Sequence, residues 1–274
     1  MLINKNNVYY RKWAVTNPKA VLLSVHGMGA QSERSDDMAK FLKTKKITTY
    51  AIELRGYGEL AQKPGYVKSM KVYHEDIKIL KEIIKAENKG KPIFIIGESM
   101  GGVISHITVL DYDNDYAGLI EVVPVYLDNM NISVAQKVSF ATSAIFNPEK
   151  PILMPFKSEE LTRDKAVLKK LNNDKREIKI ASAGLLVNML FAQLRALFNP
   201  KGIKIPVLFL LAGKDTLGDN KTSTGLFNKM ETDKEIIVYP DSYHSLTIEK
   251  NRKEVFKDIY QWMEKKMPGN NKPR

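Results

Sequence analysis

Pro92-Ile93-Phe94-Ile95-Ile96-Gly97-Glu98-Ser99-Met100-Gly101-Gly102-Val103-Ile104-Ser105-His106-Ile107-Thr108-Val109-Leu110 passes from an apolar run, through a serine framed by glycines, into a second apolar run. The first run is rich in β-branched residues, the pattern of a strand buried on both faces. The second is apolar enough for a core helix. A Gly-x-Ser-x-Gly between strand and helix is the nucleophile elbow pattern. Such a turn forces the serine into a strained backbone conformation. Gly97 and Gly101 leave room where a Cβ would strike strand or helix atoms. The Ser99 hydroxyl then stands at a helix N-terminus, where unpaired N–H groups and the positive end of the dipole stabilise a developing oxyanion. The alternative is a Gly-rich turn ahead of a packed helix.

On both sides of this elbow, strand and helix patterns alternate. Residues 8–14 read as an edge strand of a β-hairpin. Ala20-Val21-Leu22-Leu23-Ser24-Val25 reads as a buried strand ending in His26-Gly27-Met28-Gly29. A helix is expected over about 36–43, then a strand over 48–53 ending in Leu54-Arg55-Gly56-Tyr57-Gly58, then a helix over 70–87. Beyond the elbow, 118–123 reads as a strand stopped by Pro124, 206–212 as another before Gly213-Lys214-Asp215, and 234–239 as the last, with a closing helix over 249–266. This alternation predicts an α/β fold with a mostly parallel central sheet and helices on both faces. Residues 125–200 differ: they carry helical apolar patterns and turn residues but no core strand.

Composition narrows the chemistry. The 274 residues suffice for one large α/β domain with an insertion, and 43% are apolar, enough for a sizeable core. With no cysteine, a disulfide scaffold, a cysteine nucleophile and thiolate metal sites are excluded. The first residues hold no apolar run long enough for a signal peptide, and no run approaches bilayer-spanning length, so a soluble, cytoplasmic protein is expected. The net charge is +12, from 43 Lys+Arg against 31 Asp+Glu, but the lysines are scattered and no nucleic-acid-binding signature accompanies them. They read as a solvated surface, with no nucleic-acid partner expected.

A serine hydroxyl needs a general base, and the base needs an orienting carboxylate. The chain has four histidines. His106 follows Ser99 along the same predicted helix at roughly 10 Å, outside hydrogen-bond reach. His74 lies inside a helical pattern and reads as a packing or surface residue. His26 precedes a Gly-x-Gly turn and reads as a brace for that loop. His244 follows the last strand, and loops at strand C-termini converge in open α/β sheets. Asp215 follows the preceding strand, with Asp219 and Asp241 as competitors, and the order Ser99, Asp215, His244 matches the Ser…Asp…His order of the α/β-hydrolase fold. Two backbone donors are needed for the oxyanion. Met100 N–H is placed by the elbow, and Met28, between Gly27 and Gly29, is expected to supply the second.

Taken together, His26-Gly27-Met28-Gly29, Leu54-Arg55-Gly56-Tyr57-Gly58, Gly97-Glu98-Ser99-Met100-Gly101-Gly102, Gly213-Lys214-Asp215 and His244 resemble the monoacylglycerol lipase and lysophospholipase branch of the α/β-hydrolases. The resemblance runs from about residue 8 to 264. It takes in Leu161-Thr162-Arg163-Asp164, similar to a Ser/Thr-Arg-Asp stretch in that branch's cap. It implies Ser99, Asp215 and His244 as a catalytic triad and Met28 and Met100 as oxyanion donors. It also implies a hydrolase core over 1–124 and 201–274 with a helical cap inserted over 125–200. Many members have histidine where this chain has Glu98. The strand before Arg55 usually ends in aspartate, where this chain has Glu53-Leu54, and the serine usual after Gly58 is absent. These departures bear on substrate rather than on the chemistry.

Within the cap, Gly184 to Phe198 is apolar nearly all round, which predicts a helix clamped onto the core. The alternative is a lid that presents an apolar face to an acyl chain or a lipid surface. The expected activity is that of a serine carboxylic-ester hydrolase cleaving monoacylglycerol, lysophospholipid or similar single-chain esters through an acyl-enzyme, with no metal or cofactor. An amide, thioester or small aromatic-ester hydrolase on the same residues, and a non-catalytic ligand-binding homologue, are the alternatives.

Overall fold

A computed structural model of the chain describes residues 1–129 and 132–267. The strands are β1 (Ile3–Lys5), β2 (Val8–Trp13), β3 (Ala20–Val25), β4 (Ile47–Ile52), β5 (Ile93–Glu98), β6 (Gly118–Val122), β7 (Pro151–Leu153), β8 (Ile180–Ser182), β9 (Val207–Ala212) and β10 (Lys234–Tyr239). The helices are α1 (Asp36–Thr44), α2 (Met70–Glu87), α3 (Met100–Ile107), α4 (Val134–Phe146), α5 (Lys165–Asn173), α6 (Ala183–Phe198), α7 (Asn220–Lys229) and α8 (Arg252–Lys266).

Eight strands form one sheet in the order β1-β2-β4-β3-β5-β6-β9-β10. From β4 to β10 every pairing is parallel; β2 is antiparallel to both β1 and β4. The fold class is the one the alternation predicts, an α/β-hydrolase sheet flanked by helices. One expectation is corrected. Residues 8–14 do not form the sheet edge, because the three-residue β1 folds back outside β2. Its turn uses Asn6 and Asn7, both at positive φ (55° and 59°), the geometry of a two-residue hairpin turn. So short a strand carries too little periodicity to register in sequence.

Two apolar layers sandwich the sheet. Met38 and Leu42 of α1, with Phe256, Ile259, Trp262 and Met263 of α8, pack on one face against Leu22, Phe94, Ile120 and Leu208. The other face carries α2, α3 and α7, whose Tyr73, Ile77, Val103, Ile104 and Phe227 pack against Leu23, Ile95, Leu119 and Phe209. Successive residues of β3, β5 and β9 alternate between the two layers, so these strands read as continuous apolar runs.

The sheet order reverses at β3 and β5: the chain steps outward from β3 to β4, then returns across β3 to β5. At such a switch point the loops after two adjacent strands leave in opposite directions and open a crevice at the strand C-termini. Val25 is in register with Gly97, so the His26–Gly29 loop and the Ser99 elbow begin side by side.

Residues 125–200 contribute α4, α5, α6 and a small antiparallel β7–β8 pair, the last unforeseen because each strand has only three residues. Helix α6 is two-faced. Leu185, Met189, Ala192 and Ala196 recur at helical spacing and are buried against the α2–α3 layer. Phe191, Leu194 and Phe198 face outward, at 66%, 38% and 82% exposure. The expectation of a helix clamped onto the core describes its buried face; its outward face is apolar as well. No helix among the described residues is long and apolar enough to cross a membrane.

Candidate active site

Ser99 sits between β5 and α3 with φ 58° and ψ −119°, a backbone region that costs an L-residue of order 1–3 kcal/mol and persists only where the surroundings enforce it. The enforcement is visible. A Cβ on Gly97 would stand 2.1 Å from the Gly101 carbonyl oxygen, and one on Gly101 would stand 2.2 Å from that of Val25. Strand and helix thus approach more closely than any residue but glycine allows. Ser99 N–H donates to the Val122 carbonyl (2.9 Å), holding the elbow to the neighbouring strand.

His244 arrives from the loop after β10, and its Nε2 lies 2.8 Å from Ser99 Oγ. Its Nδ1 lies 2.9 and 2.8 Å from the two carboxylate oxygens of Asp215, which follows β9. Asp215 Oδ1 also accepts from the backbone N–H groups of Leu217 (2.9 Å) and Gly218 (3.0 Å). Both side chains are buried, at 4% and 1% exposure. Burial pushes the Asp215 carboxyl up, but the His244 ring and these two N–H donors outweigh it and hold the group below its ordinary value.

The competing acids are committed elsewhere. Asp219 caps the N-terminus of α7, accepting from Lys221 and Thr222 N–H. Asp241 forms an exposed ion pair with Lys214 at 2.9 Å. The other histidines are equally occupied. His26 Nε2 accepts from Leu54 N–H (3.1 Å) and its Nδ1 lies 2.9 Å from the Gly27 carbonyl, so it braces the loop after β3 to the loop after β4. His106 is fully buried, its Nδ1 2.8 Å from Glu121 Oε1 and 2.8 Å from the Tyr126 hydroxyl. His74 stacks on Tyr112 and lies 2.8 Å from Thr108 Oγ1.

Met100 N–H is the first of α3 and has no intrahelical acceptor. Gly27 approaches so closely that a Cβ there would lie 3.2 Å from Ser99 Cβ, which brings the Met28 loop against the serine. Gly29 takes φ +77°, and its carbonyl accepts from Ile178 N–H (3.0 Å), tying that loop to residues from the 125–200 segment.

A cavity of about 280 Å³ opens at Ser99 and His244. Met28, Phe140, Phe156, Leu186, Met189 and Leu190 supply apolar wall, most of it from residues 125–200. Three polar side chains from this segment also line it: Asp128, Lys137 and Gln193. Asp128 Oδ1 is buried without a hydrogen-bond partner among the described residues.

Sequence reasoning missed how the His244 loop is held. His244 N–H donates to the Glu160 carbonyl (3.3 Å) and Ser245 N–H to the Leu161 carbonyl (2.8 Å). The fully buried Glu249 accepts from Tyr243 N–H (3.1 Å) on one side of the histidine, and from Arg163 N–H (3.3 Å) across from the 125–200 segment. Thr162 Oγ1 donates to the Ile248 carbonyl (3.1 Å), and Arg252 bridges to Asp164 at 2.9 Å. The Leu161–Asp164 stretch, noticed in sequence only as a resemblance, is therefore a strut under the histidine.

Known proteins resemble this chain in sequence and in fold. The family described as "Serine aminopeptidase, S33" matches residues 16–251. Human monoglyceride lipase is 28% identical over 274 residues, covering 96% of this chain and 89% of that protein. The monoacylglycerol lipase of Mycolicibacterium smegmatis is 23% identical, covering 93% and 92%. Among solved structures, a soluble variant of the Saccharomyces cerevisiae monoglyceride lipase superposes with a TM-score of 0.86 at 21% identity, covering 97% and 95% of the two chains. With the family match spanning most of the chain and the elbow, the sheet and its switch point in place, the chain belongs to the S33 serine aminopeptidase family of α/β-hydrolases, on the monoacylglycerol lipase branch that its motifs resemble.

Proposed function

We propose that the protein is a serine carboxylic-ester hydrolase that cleaves monoacylglycerol, lysophospholipid or similar single-chain esters through an acyl-enzyme. One observation carries the reading: the unbroken chain from Asp215 through His244 to Ser99 Oγ, with its reactive end facing an apolar cavity. Ser99 Oγ attacks the ester carbonyl carbon while His244 Nε2 takes its proton. Asp215 holds His244 Nδ1–H, so Nε2 is the free acceptor, and stabilises the ring once charged. The carbonyl oxygen becomes an oxyanion facing the Met28 and Met100 N–H groups. As the tetrahedral intermediate collapses, His244 gives its proton to the leaving alcohol oxygen. Water then loses a proton to His244, attacks the acyl carbon and releases the acid, and the proton returns to Ser99 Oγ.

Residues 125–200 act in this reading as a cap, whose apolar wall desolvates one acyl chain. The cavity lies near the lower end of the ~300–1,000 Å³ usual for small-molecule sites, which suits one chain rather than three. Val134, Val138, Ile145 and Phe146 on α4 are exposed, as are Phe191 and Phe198 on α6, which packs against it. An apolar surface of this kind suits peripheral contact with a lipid surface from which a single-chain substrate is drawn.

A second reading, aminoacyl amide or ester hydrolysis on the same residues, is favoured by Asp128. The apolar run of α6 offers nothing for a substrate ammonium, but Asp128 lines the same cavity, and its Oδ1 has no hydrogen-bond partner among the described residues. A fluorophosphonate probe and a substrate panel test both. Wild type should label and Ser99→Ala should not. Hydrolysis should be faster on medium-chain monoesters and monoacylglycerols than on acetyl esters, triglyceride emulsions or aminoacyl amides. Faster amide than ester cleavage would select the second reading; no labelling of wild type would remove both.

A further inference from the structure

The residue before the nucleophile is bound to the loop of the general base. Glu98 ends β5, one peptide from Ser99, and its side chain reaches the loop that carries His244. Thr247 N–H donates to Glu98 Oε1 (3.1 Å) and the Thr247 hydroxyl donates to Glu98 Oε2 (2.8 Å). Thr247 lies three residues beyond His244, in the short turn Leu246–Ile248, and is buried. Both carboxylate oxygens are therefore used, on a backbone donor and a side-chain donor of one residue. Such two-point attachment fixes orientation as well as distance.

The position of this clamp matters. On its far side the His244 loop is held by Glu160, Leu161 and Glu249. Those contacts come from the 125–200 segment and from the loop's own C-terminal end. Glu98 ties the loop directly to the strand that presents the serine. Any shift of the histidine loop relative to β5 must break this pair of bonds before it lengthens the 2.8 Å contact between Nε2 and Oγ.

We propose that Glu98, which also lines the cavity, is a positioning residue: through Thr247 it sets the separation of Ser99 and His244. The inference rests on the proposed roles of Ser99 and His244.

The test uses the full chain and four variants: Glu98→Leu, Thr247→Val, Thr247→Ser and the Glu98→Leu/Thr247→Val pair. Steady-state kinetics on a medium-chain p-nitrophenyl ester are measured beside the rate of fluorophosphonate labelling, with thermal unfolding to verify folding. Glu98→Leu, which removes both acceptors, and Thr247→Val should each lower kcat and the labelling rate by about 10- to 100-fold, the scale of loss from a misplacement near 1 Å. KM should stay within about twofold, because both Glu98 oxygens are engaged by Thr247 and not free toward the cavity it lines, and Thr247→Ser should recover kcat to within about threefold of wild type. The double variant should lose no more than the worse single one, since both changes break the same clamp. A raised KM with kcat intact would make Glu98 a substrate contact and overturn the proposal. Folded variants with unchanged kcat and labelling would overturn it too, as would fully additive losses. Should Glu98→Leu fail to fold, the Thr247→Val and Thr247→Ser comparison decides alone, because both keep the backbone donor. Wild type that does not label would instead defeat the assignment of Ser99 itself.

Discussion

Both carboxylate oxygens of Asp215 stand within hydrogen-bond distance of His244 Nδ1, at 2.9 and 2.8 Å, while Oδ1 also accepts two backbone N–H groups. In Asp215→Asn the amide oxygen can keep the backbone donors, which turns the NH₂ toward Nδ1. The ring must then accept at Nδ1 and carry its proton on Nε2, where Ser99 needs an acceptor. The expected loss in kcat is roughly 10³–10⁴-fold with the fold intact. Asp219→Asn keeps a good helix cap and Asp241→Asn loses only an exposed ion pair, so each should stay within about tenfold of wild type. A larger loss from either would reassign the acid.

Glycine substitutions should separate the elbow from ordinary helix. In Gly97→Ala the new Cβ meets the Gly101 carbonyl oxygen at 2.1 Å, backbone that cannot yield cheaply. Destabilisation of about 1–3 kcal/mol or more is expected, with loss of activity. Gly225, inside α7, has nothing within 4 Å of an added Cβ, so Gly225→Ala should stabilise by roughly 0.5–1 kcal/mol. Denaturant unfolding of the two variants in parallel measures both signs.

The cavity wall predicts chain-length dependence. Each CH₂ that leaves water is worth about 0.8 kcal/mol, so kcat/KM should climb by up to roughly fourfold per carbon until the cavity is full. Leu186→Ala should flatten that climb, costing more with decanoyl than with butyryl esters. Asp128→Asn should leave the acyl-ester series unchanged. If aminoacyl substrates are turned over and only they respond to Asp128→Asn, that carboxylate holds an ammonium.

His74 supplies a pH signature independent of catalysis. Burial lowers its pKa from 6.5 to about 4. Between those values the unfolded chain binds a proton that the native chain does not, so stability falls as pH drops from 6.5 toward 4. The full penalty is on the order of 3 kcal/mol. His74→Phe, which keeps an aromatic ring against Tyr112, should lose this part of the slope. A stability–pH profile identical to that of wild type would show that His74 is not the titrating group.

Much of this architecture is written in local patterns. Continuous apolar runs marked β3, β5, β6 and β9 because strands covered on both faces need apolar residues at every position. Helix α2 spans Met70–Glu87, as its apolar spacing requires, and the elbow was legible because Gly97 and Gly101 must lack a Cβ within five residues of each other. The histidine could be chosen by elimination, since a strand-end loop is the one place from which it can meet Ser99. What no local pattern carries is partnership between distant residues. The place of Asp215 after β9 and the Ser…Asp…His order favour it in the sequence, but that Asp219 caps a helix and Asp241 pairs with Lys214 is visible only in the fold. Helix α6 looked uniformly apolar because its outward face is apolar too, so composition did not tell its buried side from its exposed one. Glu98 and Thr247, or Glu249 and Arg163, lie 149 and 86 residues apart and meet because parallel strands deliver their loops to one edge of the sheet. Periodicity is a property of neighbours along the chain, whereas the groups that hold His244 in place are neighbours only after folding.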